Sequence, residues 1–301
     1  RSDQTDTGSV SLDFTKMTAP SCQLSSKVKK CGRCGGQGYL VEPVQAYVRA
    51  EICDCVTNCP VCFGQARKIE NGNSVACRVP SPKRITGAMN QAEIPARYVK
   101  ATLSGFDNTS GNGRQVLERV RGHLKNIKPT GAKGIVLSGP VGVGKTHMLA
   151  AMARYLVEQG FSVRFTDFFQ LLGDLRAGFS DGKADSTLLA PLIEVDFLLI
   201  DELGKGRGKD FDKTVIDQLV TGRYNQNKTI FATTNYQLKA AKPGYMYNIE
   251  LDRDPSGMSD FAPDRFGPLE TRVGSRIYSR LQQMTHFVDL TGSDYRATEA
   301  Q

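Results

Sequence analysis

The sequence predicts an α/β protein in which a parallel sheet is sandwiched by helices and preceded by a small zinc-binding domain. Three observations support this fold class. Short apolar runs alternate with amphipathic segments from about residue 85 onward. One of these runs leads into a glycine-rich phosphate-binding pattern. The eight cysteines all lie at or before Cys77, ahead of the alternating region, and 301 residues have room for one or two domains.

Each element follows from a local pattern. Apolar runs predict five strands, over residues 134–139, 162–165, 197–201, 229–235 and 286–290. After the first strand, apolar side chains at helical spacing predict a helix over residues 146–159, which Gly160 ends. Residues 267–284 (GPLETRVGSRIYSRLQQM) predict one further helix with an apolar stripe.

Composition divides the chain into three parts. Residues 1–26 are polar without periodicity, which predicts a flexible tail. Residues 27–82 are rich in cysteine and glycine and end at Pro80 and Pro82, which predicts the zinc-binding domain. Residues 83–301 form the predicted α/β domain.

Charge and hydropathy narrow the class of protein. No run of 18 apolar residues predicts a membrane-spanning helix, and the polar first twenty residues do not resemble a signal peptide. We therefore expect a cytoplasmic protein whose cysteines bind metal rather than form disulfides. The net charge is +8, and the first hundred residues hold 14 basic against 8 acidic residues. This surplus favours a nucleic-acid partner or a merely solubilising surface about equally.

A phosphate-binding loop is predicted at residues 139–146 (GPVGVGKT), between a predicted strand and a predicted helix. Its glycines let backbone N–H groups surround phosphates, and the helix N-terminus favours the same anion. Lys145 is expected to reach the β- and γ-phosphates of ATP, and the Thr146 hydroxyl to bind Mg²⁺. The predicted nucleotide-binding residues are Gly139, Pro140, Val141, Gly142, Val143, Gly144, Lys145, Thr146 and His147.

Polar residues that follow two later strands are the predicted catalytic partners of this loop. Asp201 and Glu202 end the apolar run at residues 197–201. We expect Asp201 to hold Mg²⁺ and Glu202 to polarise the attacking water. Asn235 ends the next strand and is expected to orient that water. On the predicted helix at residues 267–284, Arg272, Arg276 and Arg280 recur every four residues, and they could reach the ATP of a neighbouring subunit.

The cysteines predict at least one zinc site with four thiolates. The pairs Cys31/Cys34 and Cys59/Cys62 have C-x-x-C spacing, which suits tetrahedral zinc, and trailing glycines permit the tight turns. Two sets of ligands remain open: the first pair with the second, or the first pair with Cys53 and Cys55. With Cys77 and Cys22 the chain has enough thiols for two ions.

Several stretches in one order resemble the AAA+ ATPases of the DnaC/DnaI helicase-loader type and their IstB relatives. They run from about residue 92 to residue 296 and include IPARYVKATLSGFD, GIVLSGPVGVGKTHMLAAMARYL, VDFLLIDELGKG, RYNQNKTIFATTNY, VGSRIYSRLQQM and VDLTGSDYR. The CxxCxGxG turns resemble those of DnaJ zinc regions, and DnaI-type loaders also have an N-terminal zinc module. The resemblance therefore implies an AAA+ ATPase domain at residues 83–301.

The resemblance also implies roles for individual residues. Asn235 corresponds to sensor 1 and Arg280 to the arginine finger, residues 94–98 lie by the adenine, and residues 167–176 meet single-stranded DNA. Two departures from the family stand out. Residues 237–267 form an insertion, and only 21 residues follow Arg280, so we expect no helical lid domain.

Three functions are consistent with these features. The first is an oligomeric ATPase that loads the replicative DNA helicase onto single-stranded DNA, with its zinc module bound to the helicase. The second is an IstB-like ATPase that regulates transposition on duplex DNA. The third is a zinc-dependent adaptor with a nucleotide switch. The zinc module favours the first.

Overall fold

The computed structural model describes residues 31–56, 67–70, 72–76, 82–106, 111–206, 210–238 and 268–295. The chain divides into two compact units. One contains Arg1–Leu40 and Ile52–Arg84, and the other contains Val41–Glu51 and Ile85–Gln301. Within the larger unit, Val48 N donates to Ile94 O at 2.7 Å and Ala50 N donates to Asn90 Oδ1. The boundary expected between residues 82 and 83 stays a prediction.

Two small sheets precede the large one along the chain. The first pairs β1 (Tyr39–Val44) with β2 (Tyr47–Ile52). The second pairs β3 (Arg67–Glu70) with β4 (Asn73–Ala76) in antiparallel register. Gly72, in the left-handed region at φ +77°, lies in the turn between β3 and β4.

The larger unit is built on a five-stranded parallel sheet, which confirms the predicted fold class. Its strands are β5 (Gly134–Ser138), β6 (Val163–Asp167), β7 (Phe197–Asp201), β8 (Thr229–Thr234) and β9 (Thr285–Asp289). They lie side by side in the order β6-β7-β8-β5-β9. All five lie where the apolar runs predicted them, to within two residues. Every residue of β5, β7 and β8 is buried, as expected for central strands covered on both faces.

The helices α1 (Pro82–Ala92) and α2 (Gly113–Lys125) precede β5. The helices that connect the strands of the sheet follow, because parallel neighbours need a crossover. They are α3 (Lys145–Glu158), α4 (Phe168–Ser180), α5 (Asp185–Glu194), α6 (Asp210–Asn225), α7 (Leu269–Val273) and α8 (Ser275–Met284). The predicted helix at residues 146–159 is α3, and Gly160 follows it at φ +85° as expected. None of the helices in these ranges is both long and apolar enough to cross a membrane.

The prediction of a single helix over residues 267–284 is wrong. The segment forms α7 and α8, and the break lies at Gly274, whose φ of +86° and ψ of 151° cannot continue a helix. The apolar spacing continues across the break, with Leu269 and Val273 buried on α7 and Ile277 and Leu281 buried on α8. Arg272 therefore lies on a different helix from Arg276 and Arg280, and the three do not form one stripe.

A fully buried arginine ties the amino ends of two central strands to a helix end. Arg223 of α6 is 0% exposed and donates to five backbone carbonyls. Its Nη1 reaches the C-terminal end of α5, and its Nη2 reaches Asp196 O and Thr229 O, next to β7 and in β8. A cation suits the negative end of the α5 dipole. Burial lowers the pKa of Arg223 to about 9, which leaves it charged at neutral pH.

Replacing this side chain tests how far the larger unit depends on it. We expect Arg223→Met to lower the free energy of unfolding by at least about 3 kcal/mol, because each buried carbonyl left without a donor costs about 1–3 kcal/mol. Urea denaturation measures this. The matched control Arg114→Met, at an exposed position of α2, should change stability by less than about 0.5 kcal/mol. Equal stability of the two variants would show that water replaces the guanidinium.

Candidate nucleotide site and cysteine cluster

In the loop between β5 and α3, two glycines lie so close to neighbouring atoms that a side chain would not fit. Gly139 has φ +142°, and a Cβ there would lie 2.0 Å from Leu290 O. Gly144 has φ +93°, and a Cβ there would lie 2.9 Å from the Phe106 ring. Gly144 also caps α3, whose N-terminus opens onto the loop. A loop of this shape ahead of a helix N-terminus is suited to an anion such as a phosphate.

Lys145 and Thr146, the first residues of α3, have different hydrogen-bond partners. The Lys145 Nζ donates to Gly139 O at 2.8 Å and to Pro140 O at 2.5 Å, so the ammonium lies over the loop. The Thr146 hydroxyl donates to Asp201 Oδ1 at 3.0 Å, at the end of β7. The structure thus brings together two of the predicted nucleotide-site residues, a hydroxyl and a carboxylate. Both are oxygen ligands of the kind that Mg²⁺ prefers.

Asp201 is buried, and within the described residues it has no ion-pair partner. Its Oδ1 also accepts a hydrogen bond from the Thr233 hydroxyl on β8. Burial raises the pKa of Asp201 to about 6, although the hydrogen bonds from Thr233 and Thr146 oppose that shift. A bound cation would favour the ionised carboxylate. The surroundings of Asp201 therefore suit a carboxylate with a divalent metal ion bound to it better than an ionised carboxylate without one.

Glu202 follows Asp201 in a strained backbone conformation. Its φ is +55°, in the left-handed region that non-glycine residues rarely adopt. Its N–H donates to the Thr233 hydroxyl at 2.9 Å, so one threonine contacts both acidic residues. The Glu202 carboxylate is ion-paired with Lys205, on the same loop. Sequence reasoning missed Thr233 and Lys205. The one sequence signal for Thr233 was that two polar residues, Thr233 and Thr234, end the apolar run of β8.

Asn235 is exposed and follows β8 directly. Ile200 pairs with Ala232, so Asp201 lies beside Thr233 and Asn235 comes two residues later, at the same edge of the sheet. The predicted grouping of Asn235 with the acidic pair is therefore compatible with the register of the strands.

The three candidate arginines have different surroundings. Arg280 on α8 donates to the Thr221 hydroxyl at 2.7 Å and lies 3.5 Å from Asp217 Oδ1, so it packs against α6. Arg276 has a 68% exposed side chain and lies 3.8 Å from the same Asp217 oxygen. Arg272 on α7 donates to backbone carbonyls of its own chain. Arg276 is thus the most exposed of the three.

Three aromatic side chains lie together at the first turn of α3. The His147 ring lies between Phe106 and Tyr98, with centroid distances of 5.8 and 6.5 Å. Burial lowers the pKa of His147, which favours the neutral imidazole. Arg154 of α3 donates to Val99 O at 3.0 Å and ties the segment that follows Tyr98 to the same helix. The residues expected by the adenine therefore lie beside α3.

Four cysteines of the smaller unit form a compact cluster. The sulfur atoms of Cys31, Cys34, Cys53 and Cys55 all lie within 4.8 Å of one another. The Cys31–Cys53 and Cys34–Cys55 sulfur distances are 3.8 and 3.5 Å. Tetrahedral zinc with Zn–S bonds of about 2.3 Å needs S–S distances of about 3.8 Å. The cluster therefore fits a tetrahedral, thiolate-binding metal.

Backbone N–H groups support this cluster. Gly38 N donates to Cys34 Sγ at 3.3 Å, within the glycine-rich turn. Hydrogen bonds from the backbone of Cys34 and Arg33 lower the pKa of the Cys31 thiol to about 6, which favours the thiolate. The structure brings together the second of the two ligand sets left open by sequence. Cys22, Cys59, Cys62 and Cys77 lie outside the described residues, as does most of the insertion at residues 237–267.

Comparison with known proteins identifies the family to which the chain belongs, through a match that lies mostly in the larger unit. Residues 79–242, more than half of the chain, match the family described as IstB-like ATP binding protein. This chain belongs to that family. The nucleotide site described above lies within the matched region, apart from the arginines of α7 and α8. The P-loop AAA+ fold agrees with this assignment, and no helical lid follows β9 among the described residues, which end at Tyr295.

Relatives of this IstB-like protein include helicase loaders. It is 26% identical over 159 residues to the uncharacterized protein YdaV of Escherichia coli K12, and 25% identical over 162 residues to the replicative helicase loader DnaC of Buchnera aphidicola. Each match covers 53% of this chain and 64% of the relative, so the similarity spans under two thirds of these proteins. The crystal structure of a DnaC helicase loader superposes with a TM-score of 0.52 and 26% identity, covering 65% of this chain and 99% of that one.

The raised pKa of Asp201 gives a pH-dependent prediction. A carboxyl whose pKa is higher in the folded state stabilises the fold when protonated, and this contribution is lost as pH rises from about 4 through 6. Asp201→Asn removes the buried charge. We expect it to stabilise the nucleotide-free protein by about 1–3 kcal/mol at pH 8 and by less at pH 5. Thermal denaturation at both pH values measures the gain.

The control for this experiment is Asp181→Asn, at an exposed position after α4. It should leave stability unchanged at both pH values. If Asp201→Asn shows the same gain at pH 5 and pH 8, the Asp201 carboxyl does not titrate near pH 6.

Proposed function

We propose that this protein is an ATP-dependent loader of the replicative DNA helicase onto single-stranded DNA, and that it hydrolyses ATP at sites between subunits. The observation that carries the proposal is the joining of the phosphate loop to Asp201 through Thr146, in a chain whose relatives include DnaC loaders. The thiolate cluster in the smaller unit supports a separate docking element.

The proposed chemistry assigns one task to each residue. Residues 139–147 bind the phosphates through backbone N–H groups, and Lys145 neutralises their charge. Thr146 and Asp201 hold Mg²⁺, which when bound polarises the terminal phosphate. Glu202 accepts a proton from the attacking water, and Asn235 orients that water.

Assembly and DNA binding are further parts of the proposal. Subunits join head to tail so that Arg280 of one completes the ATP site of the next, and the exposed face of α4 meets single-stranded DNA. Asp167 caps α4 through a hydrogen bond from Gln170 N, and Phe169 is 51% exposed on that helix. An exposed aromatic side chain is suited to stack on an unpaired base.

The smaller unit is proposed to hold Zn²⁺ through its four described cysteines and to bind the helicase. The described residues of this unit form few regular elements, so the metal is expected to supply much of its folding free energy. Protein docking is its main task in this proposal, and DNA contact is secondary.

A second candidate is an ATPase that regulates DNA transposition on duplex DNA. The match to the IstB-like family favours it. The two candidates differ in the partner protein and in the preferred form of DNA.

The first experiment measures the mass of the complex with the replicative helicase of the same organism by light scattering. It compares the full chain with and without ATP against the Cys53→Ser/Cys55→Ser variant, which removes two thiolates of the cluster and leaves residues 41–51 of the larger unit in place. We expect a complex with the full chain and its loss in the variant. Absence of a complex in all conditions would contradict the loader and favour the transposition regulator, which long filaments on duplex DNA would then support.

Metal removal tests the zinc assignment. Chelation should release about one zinc per described cysteine cluster and unfold the smaller unit, because structural zinc contributes roughly 10–16 kcal/mol of apparent binding energy in small finger peptides. ATP affinity, measured by fluorescent nucleotide titration, should stay unchanged. Loss of ATP binding upon chelation would show that the two units do not fold independently.

The inter-subunit site is tested with Arg280→Ala. An arginine finger contributes about 10³–10⁵ to the rate of phosphoryl transfer, so we expect DNA-stimulated ATP hydrolysis to fall at least about 10³-fold with unchanged ATP affinity. Steady-state hydrolysis and nucleotide titration measure the two quantities. Normal turnover would assign the finger to Arg276 instead, the most exposed of the three arginines.

A further inference from the structure

Arg272 is attached to the loop that follows Glu202. Its Nε donates to Gly204 O at 3.2 Å, and its Nη2 donates to Gly206 O. The guanidinium also lies 5.2 Å from the centre of the Tyr236 ring, next to Asn235. One side chain therefore contacts the segments that follow both β7 and β8.

The packing around Gly204 is close. A Cβ at Gly204 would lie 3.3 Å from the Arg272 Cβ and 3.3 Å from the Tyr236 ring. Arg272 thus lies against the loop along its stem as well as at its guanidinium. A side chain at position 204 would therefore be in tight contact with α7 and with the Tyr236 ring.

The other side of the loop is held by β8. Leu203 N donates to Thr233 O at 2.7 Å, and the Thr234 hydroxyl donates to Leu203 O at 2.8 Å. Glu202, with its strained φ, directly precedes these two attachments, and its own N–H donates to the Thr233 hydroxyl. A backbone in a sparsely populated conformation persists only when surrounding contacts impose it. Residues 203–206 are therefore clamped from both sides immediately after Glu202.

We propose that Arg272 is a positioning residue for Glu202 and acts within its own subunit. It holds the Gly204 and Gly206 carbonyls, and so keeps the Glu202 carboxylate and the Asn235 segment in fixed relation at the edge of the sheet. This inference rests on the proposed role of Glu202 in ATP hydrolysis. Since the guanidinium is engaged by carbonyls of its own chain, Arg272 is not the residue that reaches a neighbouring subunit.

Kinetics of Arg272→Gln test the positioning role. Nucleotide affinity should stay within twofold of the unmodified protein, because the contacts of Arg272 among the described residues are with Gly204, Gly206 and Tyr236, outside the phosphate loop. The kcat should fall about 10–100-fold, since a displacement of about 1 Å can cost about 10²-fold in rate. Arg114→Gln, at an exposed position on α2, is the matched control and should leave both quantities unchanged.

Arg272→Lys separates geometry from charge. A single ammonium cannot donate to both carbonyls as a planar fork while stacking on Tyr236. We therefore expect its kcat to resemble that of Arg272→Gln. Full activity of the lysine variant would overturn the proposal.

Mixing inactive subunits distinguishes action within a subunit from action between subunits. If Arg272 and Glu202 act in the same subunit, Arg272→Gln mixed with Glu202→Gln restores no activity, because every site lacks one of them. Arg280→Ala mixed with Glu202→Gln should restore activity, because some sites receive both groups from different subunits. Recovery in the first mixture would overturn the proposal.

A structural readout is independent of turnover. In nucleotide-free protein, Arg272→Gln should speed hydrogen exchange of the Leu203 and Lys205 amides at least tenfold and leave β5 unchanged. Unchanged exchange would overturn the proposal whatever the kinetics. Faster exchange with no recovery in the Arg280→Ala mixture would instead count against the proposed inter-subunit site, while Arg272 keeps its positioning role.

Discussion

Parallel strand pairing is the constraint on which the candidate nucleotide site depends. Because β5, β7 and β8 run in one direction, their carboxyl ends meet at one edge of the sheet. The phosphate loop, Asp201 and Asn235 follow those three ends. The hydrogen bonds of Asp201 with Thr146 and Thr233 then connect α3, β7 and β8 at a single carboxylate oxygen.

Two buried charges lie toward opposite ends of the same strands. Asp201 lies at the carboxyl edge among hydroxyl groups, whereas Arg223 contacts the amino ends of β7 and β8 through backbone carbonyls. Neither has a salt-bridge partner among the described residues. Their surroundings differ: five backbone carbonyls accept hydrogen bonds from the two Nη atoms of Arg223, whereas the Asp201 carboxylate accepts hydrogen bonds from two threonine hydroxyls. Burial without a cationic partner raises the pKa of Asp201, and the proposed Mg²⁺ would supply that partner.

Much of this architecture could be predicted from the sequence. The strands were predictable because fully buried runs stand out, and the phosphate loop because its glycines have few alternatives. The break at Gly274 was missed because apolar spacing continues across it. Arg223 was missed because its carbonyl partners on α5 and next to β7 come from distant parts of the sequence. The choice between the two sets of zinc ligands could not be made from the sequence, because the spacing of the cysteines does not determine which loops approach each other.

The break at Gly274 gives the two helices on either side of it different partners. On its N-terminal side, α7 bonds to the loop after Glu202, whereas on its C-terminal side α8 packs against α6 and leads directly into β9. What reads in the sequence as one amphipathic segment is therefore two helices with different partners. In the proposed assembly, a neighbouring subunit would contact α8, whereas the hydrogen bonds to the loop after Glu202 come from α7.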